Sequence, residues 1–203
     1  MKVLIACEYS GTVRDAFIAD GHDAMSCDFL PTDVPGAHHQ GDVIAYLNDV
    51  PDQSLDLIIA HPTCTKLCVS GNSTYGAGMP KHAERIESAK WTENFWILAK
   101  SKAKAVVFEN PVGVLNRLTS MPKPHYIQPY EFGHMEQKKT GLFLHNVAPL
   151  KPTNNVYAEM MKLPKNVRER LHYLPPSSDR WKIRSTTYKG IAQAMASQWS
   201  NIR

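Results

Sequence analysis

The chain has 203 residues, 43% of them apolar, which is enough to bury a substantial core in one domain of ordinary size. It has no run of roughly 18 apolar residues such as a membrane helix needs, so we expect no membrane span. The formal net charge of +4 is mildly basic, and basic side chains become more frequent in the C-terminal third. This charge favours a polyanionic partner, although a lysine-rich solvated surface explains it equally well.

Apolar runs of strand length alternate with helical patterns from the N-terminus onward. Strands are predicted for residues 2–7, 24–27, 55–60, 105–108 and 140–144. Helices are predicted for residues 12–19, for a short stretch after residues 41–43, and for residues 83–102 and 190–199. This alternation predicts an α/β fold with a doubly wound, mostly parallel sheet in a single domain over residues 1–203.

Two long segments lie outside this pattern. Residues 62–80 are rich in Gly, Ser, Thr and Asn, which predicts a mobile functional loop. Residues 147–184 are basic and rich in proline, and we expect them to pack on or beside the domain. Lys182 and Arg184 in this segment are candidates for contacting a nucleic acid through its phosphates.

The cysteines indicate a reducing compartment rather than a disulfide framework. Cys7, Cys27, Cys64 and Cys68 occur in a chain with a full apolar core, which needs no disulfide for stability. Cys64 and Cys68 with His61 come nearest to a metal-binding pattern, but no second pair at zinc-site spacing follows. We therefore predict a cytoplasmic protein without a metal site.

Polar residues of the kind found in binding sites follow directly on four predicted strands. They are Glu8, Asp28, His61 and Glu109. In a doubly wound sheet, ligands bind at the carboxyl ends of the strands near the point where the strand order switches. We therefore expect these residues to surround one site.

The first of these positions predict a ligand that contains adenosine. Ser10 and Gly11 lead into a helix whose N-terminal amides can bind a carboxylate or phosphate. Asp28 can accept hydrogen bonds from both hydroxyls of a ribose, and Asp42 can accept one from an adenine amino group. Capping of the next turn or helix is the alternative role for each aspartate.

Cys64 lies just after the apolar strand of residues 55–60, ahead of the flexible loop, where its thiol can be exposed. Glu109 and Asn110 follow the neighbouring predicted strand. A thiol and a carboxylic acid on adjacent strand ends can act together in covalent catalysis. A buried and inert cysteine is the alternative.

Taken in order, these segments resemble the motifs of DNA cytosine-C5 methyltransferases over nearly the whole chain. The matching segments are residues 6–17, Asp28, Gly41-Asp42-Val43, His61-Pro62-Thr63-Cys64, Phe108-Glu109-Asn110-Pro111, Gln137-Lys138-Lys139 and residues 188–199. The sequence is most similar to the small phage-type forms that lack a separate target-recognition domain. The resemblance implies the Rossmann-like class I fold of S-adenosylmethionine-dependent methyltransferases.

The same resemblance implies roles for individual residues. S-adenosylmethionine would contact the residues Glu8, Tyr9, Ser10, Gly11, Asp28, Asp42, His61 and Pro62. Cys64 would add to C6 of cytosine, while Glu109, followed by Asn110, would hold N3 and the exocyclic amine. The nucleic acid would contact Gln137, Lys138 and Lys139, which stand where the family has a Gln-x-Arg-x-Arg element.

The chain departs from the family pattern in ways that leave three functions open. Thr63 stands where the family has the proline before its cysteine, and Pro111 stands where a valine is usual. The first function is methylation of cytosine C5 in DNA. The second is the same chemistry on RNA or a free pyrimidine nucleotide, and the third is binding of cofactor and nucleic acid without catalysis.

Overall fold

A computed structural model of the chain describes residues 1–202. Within these residues the strands are β1 Lys2–Ala6, β2 Asp23–Asp28, β3 His38–Gln40, β4 Leu55–Ala60, β5 Ala103–Pro111, β6 His125–Ile127 and β7 Thr140–His145. The α-helices are α1 Thr12–Ala19, α2 Val43–Asp49, α3 Asn72–Tyr75, α4 His82–Lys102, α5 Leu115–Leu118, α6 Tyr157–Met160, α7 Lys165–Arg168, α8 Arg170–Tyr173, α9 Arg180–Ser185 and α10 Lys189–Gln198. Short 3-10 helices occupy Val69–Gly71 and Pro129–Glu131.

The seven strands form one sheet in the order β3-β2-β1-β4-β5-β7-β6. All neighbours from β3 to β5 pair in parallel, and β7 alone runs against both of its neighbours. The strand order reverses between β1 and β4, so the crevice beyond their carboxyl ends is the expected ligand site. The predicted fold class, an α/β protein with a doubly wound, mostly parallel Rossmann-like sheet, is confirmed.

Helices cover both faces of the sheet. Alternate residues of β1 enter the two cores, because successive strand side chains point to opposite faces. Val3 and Ile5 pack in a cluster with α1 and α10, whereas Leu4 and Ala6 pack in a cluster with α2 and α4. The apolar run in β4 is buried from Leu57 to Ala60, as expected of a strand covered on both faces.

Several predicted elements have the bounds that the structure shows, and others differ. Helix α1 and strand β4 coincide with the predicted ranges, and Gly21 after α1 has the left-handed φ of 83° expected of a helix end. Strand β5 is longer than predicted, because its last residues pair with β7. Glu109, Asn110 and Pro111 therefore lie within a strand and not after it.

The two segments outside the strand pattern contain more helix than the sequence predicted. Residues 62–80, predicted as a loop, include the 3-10 helix Val69–Gly71 and α3. Residues 147–184 contain α6, α7 and α8 and most of α9. None of the helices in residues 1–202 combines the length and the apolar character needed to cross a membrane.

Candidate active site

Glu8 is buried behind the first turn of α1 and acts as its cap. Glu8 is only 5% exposed. Its carboxylate accepts hydrogen bonds from the backbone amides of Val13 at 2.7 Å and Arg14 at 3.2 Å. A carboxylate at this position accepts from amides that have no partner inside the helix, and its negative charge interacts favourably with the positive end of the helix dipole. The Val13 and Arg14 amides of α1, which the sequence suggested as donors to a ligand, are therefore occupied by Glu8.

The loop between β1 and α1 keeps other donors available. Within residues 1–202, the amides of Tyr9, Ser10 and Gly11 donate no hydrogen bond to protein. Gly11 has a φ of 72°, a left-handed conformation that suits glycine because it has no Cβ. Consecutive amides in such a turn can bind an anionic group, so this loop, rather than the helix end, offers the donors.

Asp28 and Asp42 lie together at the ends of β2 and of the loop before α2. The Gly41 amide donates to the Asp28 carbonyl at 2.8 Å. One carboxylate oxygen of Asp28 accepts from the Leu30 amide at 2.9 Å, and one of Asp42 caps α2 through the Ile44 amide at 2.7 Å. In the part of the chain that the structure describes, the second oxygen of each carboxylate has no protein partner.

The Cys7 thiol lies near enough to both aspartates for their charges to act on its pKa. Burial raises this pKa, and the charges of Asp28 and Asp42 raise it further. Cys7 follows β1 directly. The two carboxylates therefore lie beside the carboxyl end of β1, next to the switch in strand order.

The segment that carries Cys64 is held at its first residues by β1 and at its turn by its own backbone. The His61 amide donates to the Ala6 carbonyl at 3.0 Å, and the amides of Leu67 and Cys68 both donate to the Cys64 carbonyl. Pro62 is buried, Thr63 is exposed and Cys64 is half-buried. We refer to residues 61–71 as the cysteine loop.

Arg85 fixes the cysteine loop to helix α4. Arg85 is 3% exposed. Its guanidinium donates hydrogen bonds to the carbonyls of Lys66 at 2.6 Å and Cys68 at 3.2 Å, and to Asn72 Oδ1 at 2.8 Å. Sequence reasoning missed this residue. The signal was present, because Arg85 shares helical spacing with the buried positions 89, 92, 96 and 99 of α4.

The segment after β5 supports the cysteine loop from the other side. The Val69 amide donates to the Val112 carbonyl at 2.9 Å, and the Val114 amide donates to the Leu67 carbonyl at 3.0 Å. Between them, Gly113 approaches the Leu67 carbonyl so closely that a Cβ would collide with it. Glycine is required here, and its role was also missed from the sequence.

Glu109 on β5 meets the cysteine loop through His61. The Nδ1 atom of His61 lies 3.4 Å from Glu109 Oε2, and the two side chains are 10% and 16% exposed. The side-chain nitrogen Nδ2 of Asn110 donates a hydrogen bond to the Pro62 carbonyl at 3.1 Å. His61 and Pro62, predicted as cofactor contacts, thus make their observed contacts with β5.

In the cluster formed by His61, Cys64 and Glu109, the pKa of the acid is lowered and the pKa of the thiol is raised. Burial opposes ionisation of Glu109, but hydrogen bonding to His61 and the charge of Lys138 hold its pKa below the usual value. Burial, with smaller effects of Cys68 and Glu109, raises the pKa of Cys64 to about 11. The thiol is therefore almost entirely protonated near neutral pH in the ligand-free protein.

The predicted nucleic-acid contacts fall into two groups. Lys138 lies with its Nζ 5.8 Å from the centre of the Tyr188 ring, and its charge lowers the pKa of Glu109. Lys139 lies with its Nζ 4.6 Å from the centre of the Tyr126 ring. The Gln137 amide donates to the Arg168 carbonyl at 2.7 Å, which ties this stretch to α7. These residues are brought to the edge that holds Glu109.

The second group lies on α9, against the loop after β1. Lys182 forms an ion pair with Asp33 at 2.8 Å, and Arg184 is exposed. The Tyr9 hydroxyl is 3.2 Å from the Ser185 hydroxyl, and the Trp181 ring lies 5.6 Å from the Tyr9 ring. Helix α9 therefore covers Tyr9, one of the predicted cofactor contacts.

No protein-family model matches the chain, and no curated protein matches it. Among solved structures it is similar to a protein described as a DNA modification methyltransferase encoded within a prophage of E. coli, with 15% identity and a TM-score of 0.44 over 71% of this chain and 46% of that one. It is also similar to WbdD, crystallised with a kinase inhibitor, with 11% identity and a TM-score of 0.47 over 76% of this chain and 38% of that one.

A third similar structure is EhMeth, a methyltransferase of Entamoeba histolytica, with 11% identity and a TM-score of 0.43 over 76% of this chain and 57% of that one. The chain spans less than two thirds of the length of each of these three proteins. Since one fold hosts many activities, the function must be inferred from the site.

Proposed function

We propose that the chain transfers a methyl group from S-adenosylmethionine to C5 of cytosine in DNA, through a covalent bond between Cys64 and C6 of the base. The observation that carries this proposal is the junction of the cysteine loop with β5. His61 contacts Glu109 there at 3.4 Å, and Asn110 binds the Pro62 carbonyl at 3.1 Å. A thiol and a carboxyl group held on neighbouring strands are the two groups that addition to a pyrimidine requires.

The proposed reaction begins when the Cys64 sulfur, as a thiolate, forms a bond to C6. The electron pair of the C5–C6 double bond moves into the ring, and Glu109 stabilises the charge at N3. S-adenosylmethionine, when bound, would supply an electrophilic methyl group for C5 and would leave as S-adenosylhomocysteine. Loss of the C5 proton to solvent then restores the double bond and expels the thiolate.

The proposed cofactor site fits the polar groups beyond β1 and β2. The amides of Tyr9 to Gly11 can bind the carboxylate of S-adenosylmethionine, and Asp28 can accept from the ribose with the oxygen that Leu30 leaves unused. Asp42 is available to the adenine in the same way. These residues surround the crevice between β1 and β4, and Cys64 follows β4.

The proposed substrate is DNA because basic side chains lie before β7, next to β5, and on α9. Within residues 1–202, Lys138, Lys139 and Arg184 form no ion pair, so their charge is available to phosphates. A cytosine in a duplex has to leave the base stack to reach a thiol in such a cluster. RNA or a free pyrimidine nucleotide would undergo the same chemistry without a recognition domain.

One observation favours the non-catalytic function instead. A Cys64 pKa of about 11 leaves little thiolate at neutral pH, so substrate binding must itself assist deprotonation. Lys138 acts in that direction, since its charge lowers the pKa of the thiol. A protein that never achieves this activation would bind cofactor and nucleic acid without transferring the methyl group.

The test is transfer of a labelled methyl group from S-adenosylmethionine to duplex DNA, single-stranded DNA, RNA and deoxycytidine monophosphate in parallel. We expect labelled 5-methylcytosine in DNA from the parent and none from Cys64→Ser. Cys68→Ser is the matched control, and it should retain activity because, within residues 1–202, the Cys68 sulfur hydrogen-bonds only to the Ser70 hydroxyl and the Thr65 carbonyl. Label confined to the nucleotide or to RNA would select the second function, and cofactor binding without transfer would select the third.

A further inference from the structure

His61 is a buried ring of which only one nitrogen has a partner. Nδ1 lies 3.4 Å from Glu109 Oε2, while Nε2 is buried without a hydrogen-bond partner in residues 1–202. A buried polar nitrogen without a partner is unfavourable unless a ligand satisfies it. The resemblance to cytosine methyltransferases assigned His61 to the cofactor, and this contact with the acid is a different role.

The backbone holds the ring where it can serve Glu109. The His61 amide is bound to the Ala6 carbonyl at 3.0 Å, and the buried Pro62 that follows restricts His61 to extended backbone conformations. The Pro62 carbonyl in turn accepts the Asn110 amide. The ring therefore lies directly after β4, held by β1 through the His61 amide and by β5 through Pro62, and the carboxyl group lies on β5 itself.

Charged groups face this pair from each neighbouring element. Glu109 on β5 and Glu8 after β1 favour a protonated ring, Lys138 before β7 opposes it, and Cys64 lies on the same loop. Burial opposes the charge, but the hydrogen bond and charge of Glu109, with Glu8, raise the pKa of His61 above its usual value. These charges therefore favour a proton on the ring over a proton on the carboxyl group.

We infer that His61 is a positioning residue that holds the Glu109 carboxyl group and shares with it the proton delivered to N3 of the target base. This inference rests on the proposed function. When Cys64 adds to C6, one proton moves from His61 Nδ1 through the carboxyl group to N3. The ring of His61 becomes neutral, and Glu109 is a carboxylate before and after the step. Elimination of the thiolate returns the proton from N3 to the pair.

The experiment compares the parent with His61→Gln, which keeps a hydrogen-bond donor but does not titrate. We expect the rate of covalent adduct formation to fall about tenfold or more, as for loss of a proton-transfer partner. Ionisation of Cys64 makes the rate rise with pH; in the parent this rise should level off as pH passes through the His61 pKa, whereas in His61→Gln it should continue. Affinity for S-adenosylhomocysteine should be unchanged. His172→Gln, an exposed position on α8, serves as the control.

An identical pH profile in the parent and His61→Gln would overturn the inference, as would a loss of cofactor affinity that accounts for the whole rate effect. A second measurement does not depend on activity. NMR titration of the His61 ring should show a lower pKa in Glu109→Gln than in the parent. If the parent transfers no methyl group, the proposed function fails, whereas an unchanged ring titration in Glu109→Gln shows that the pairing itself is wrong.

Discussion

The cysteine loop and helix α9 flank the same crevice but are held in opposite ways. The cysteine loop is fixed by Arg85 on α4 and by Asn110 on β5, whose side chains donate hydrogen bonds to its backbone carbonyls. Gly113, which follows β5, packs closely against the Leu67 carbonyl. Helix α9 has no buried residue, and Trp181 on it is 50% exposed. Its contacts include a part-buried hydroxyl pair, two contacts with the Tyr9 ring and the exposed Lys182 ion pair, of which the ion pair is weak.

Under the proposed function, this difference separates the chemistry from the binding of the polyanion. Covalent catalysis needs a nucleophile and an acid held in one geometry, and buried hydrogen bonds provide that rigidity. A segment held by exposed contacts can exchange them for contacts with a ligand at low cost. We therefore expect the cysteine loop to stay in place on binding and α9 to rearrange.

The largest expected effect comes from breaking the contacts of Arg85. Arg85→Ala leaves two carbonyls of the cysteine loop and Asn72 Oδ1 of α3 without their donor, so the free energy of unfolding should fall by about 3 kcal/mol. Urea unfolding measures this loss. Arg85→Lys should recover part of it, since an ammonium group keeps the charge but not the planar fork.

The exposed Lys90 on the same helix supplies the control for Arg85. Lys90→Ala should change the unfolding free energy by no more than about 0.5 kcal/mol. If Arg85→Ala behaves like Lys90→Ala, the cysteine loop is not held as described, and the contrast with α9 disappears.

A smaller effect is expected from the pH dependence of the His61–Glu109 contact. The folded pKa of His61 is raised from 6.5, so its stabilisation is complete below that value and is lost as pH rises through the raised pKa. The folded pKa of Glu109 is lowered from 4.5, so its stabilisation is complete above that value and is lost as pH falls through the lowered pKa.

The pair should therefore stabilise the fold most between pH 4.5 and 6.5, the ordinary values of its two groups. Urea unfolding of the parent and of Glu109→Gln across this range measures the contribution as a difference. The difference should be largest within the window and should shrink on both sides. A difference that keeps growing above pH 8 contradicts the pairing.

The smallest effect is expected on α9. If DNA phosphates replace Asp33 as the partner of Lys182, Lys182→Gln should reduce the slope of log affinity against log salt by about one, for any DNA sequence. Folding stability should hardly change, because the ion pair is exposed. Lys90→Gln is the charge-matched control, and an unchanged slope in Lys182→Gln would exclude α9 as a DNA contact.

The sequence predicted the elements that are buried and missed those at the edges. Strand β4 is apolar along its length because both of its faces are covered, so its pattern is unambiguous. Strands β3 and β6 are three residues long and form the two edges of the sheet. Short edge strands with polar side chains carry no periodic signal that separates them from loops.

The sequence predicted which strands the candidate site residues lie beside, but it did not predict which side chains contact one another. The sequence indicated that Cys64 and Glu109 would meet, because adjacent strand ends share one edge of the sheet. It did not indicate that Glu8 caps α1 or that His61 contacts Glu109, since both depend on side-chain directions across strands distant in the sequence. Which group a buried acid contacts is a property of tertiary packing.

The central claim is that Cys64 forms a covalent bond with the target base, and trapping on 5-fluorocytosine tests it. DNA containing this base should be methylated once and then remain attached to the protein, because fluorine at C5 does not leave as a proton does. Mass spectrometry of the digested complex should find the nucleotide on the peptide that contains Cys64. Cys68→Ser should give the same adduct, and Cys64→Ser should give none. Methyl transfer that continues in Cys64→Ser without an adduct would contradict the covalent mechanism.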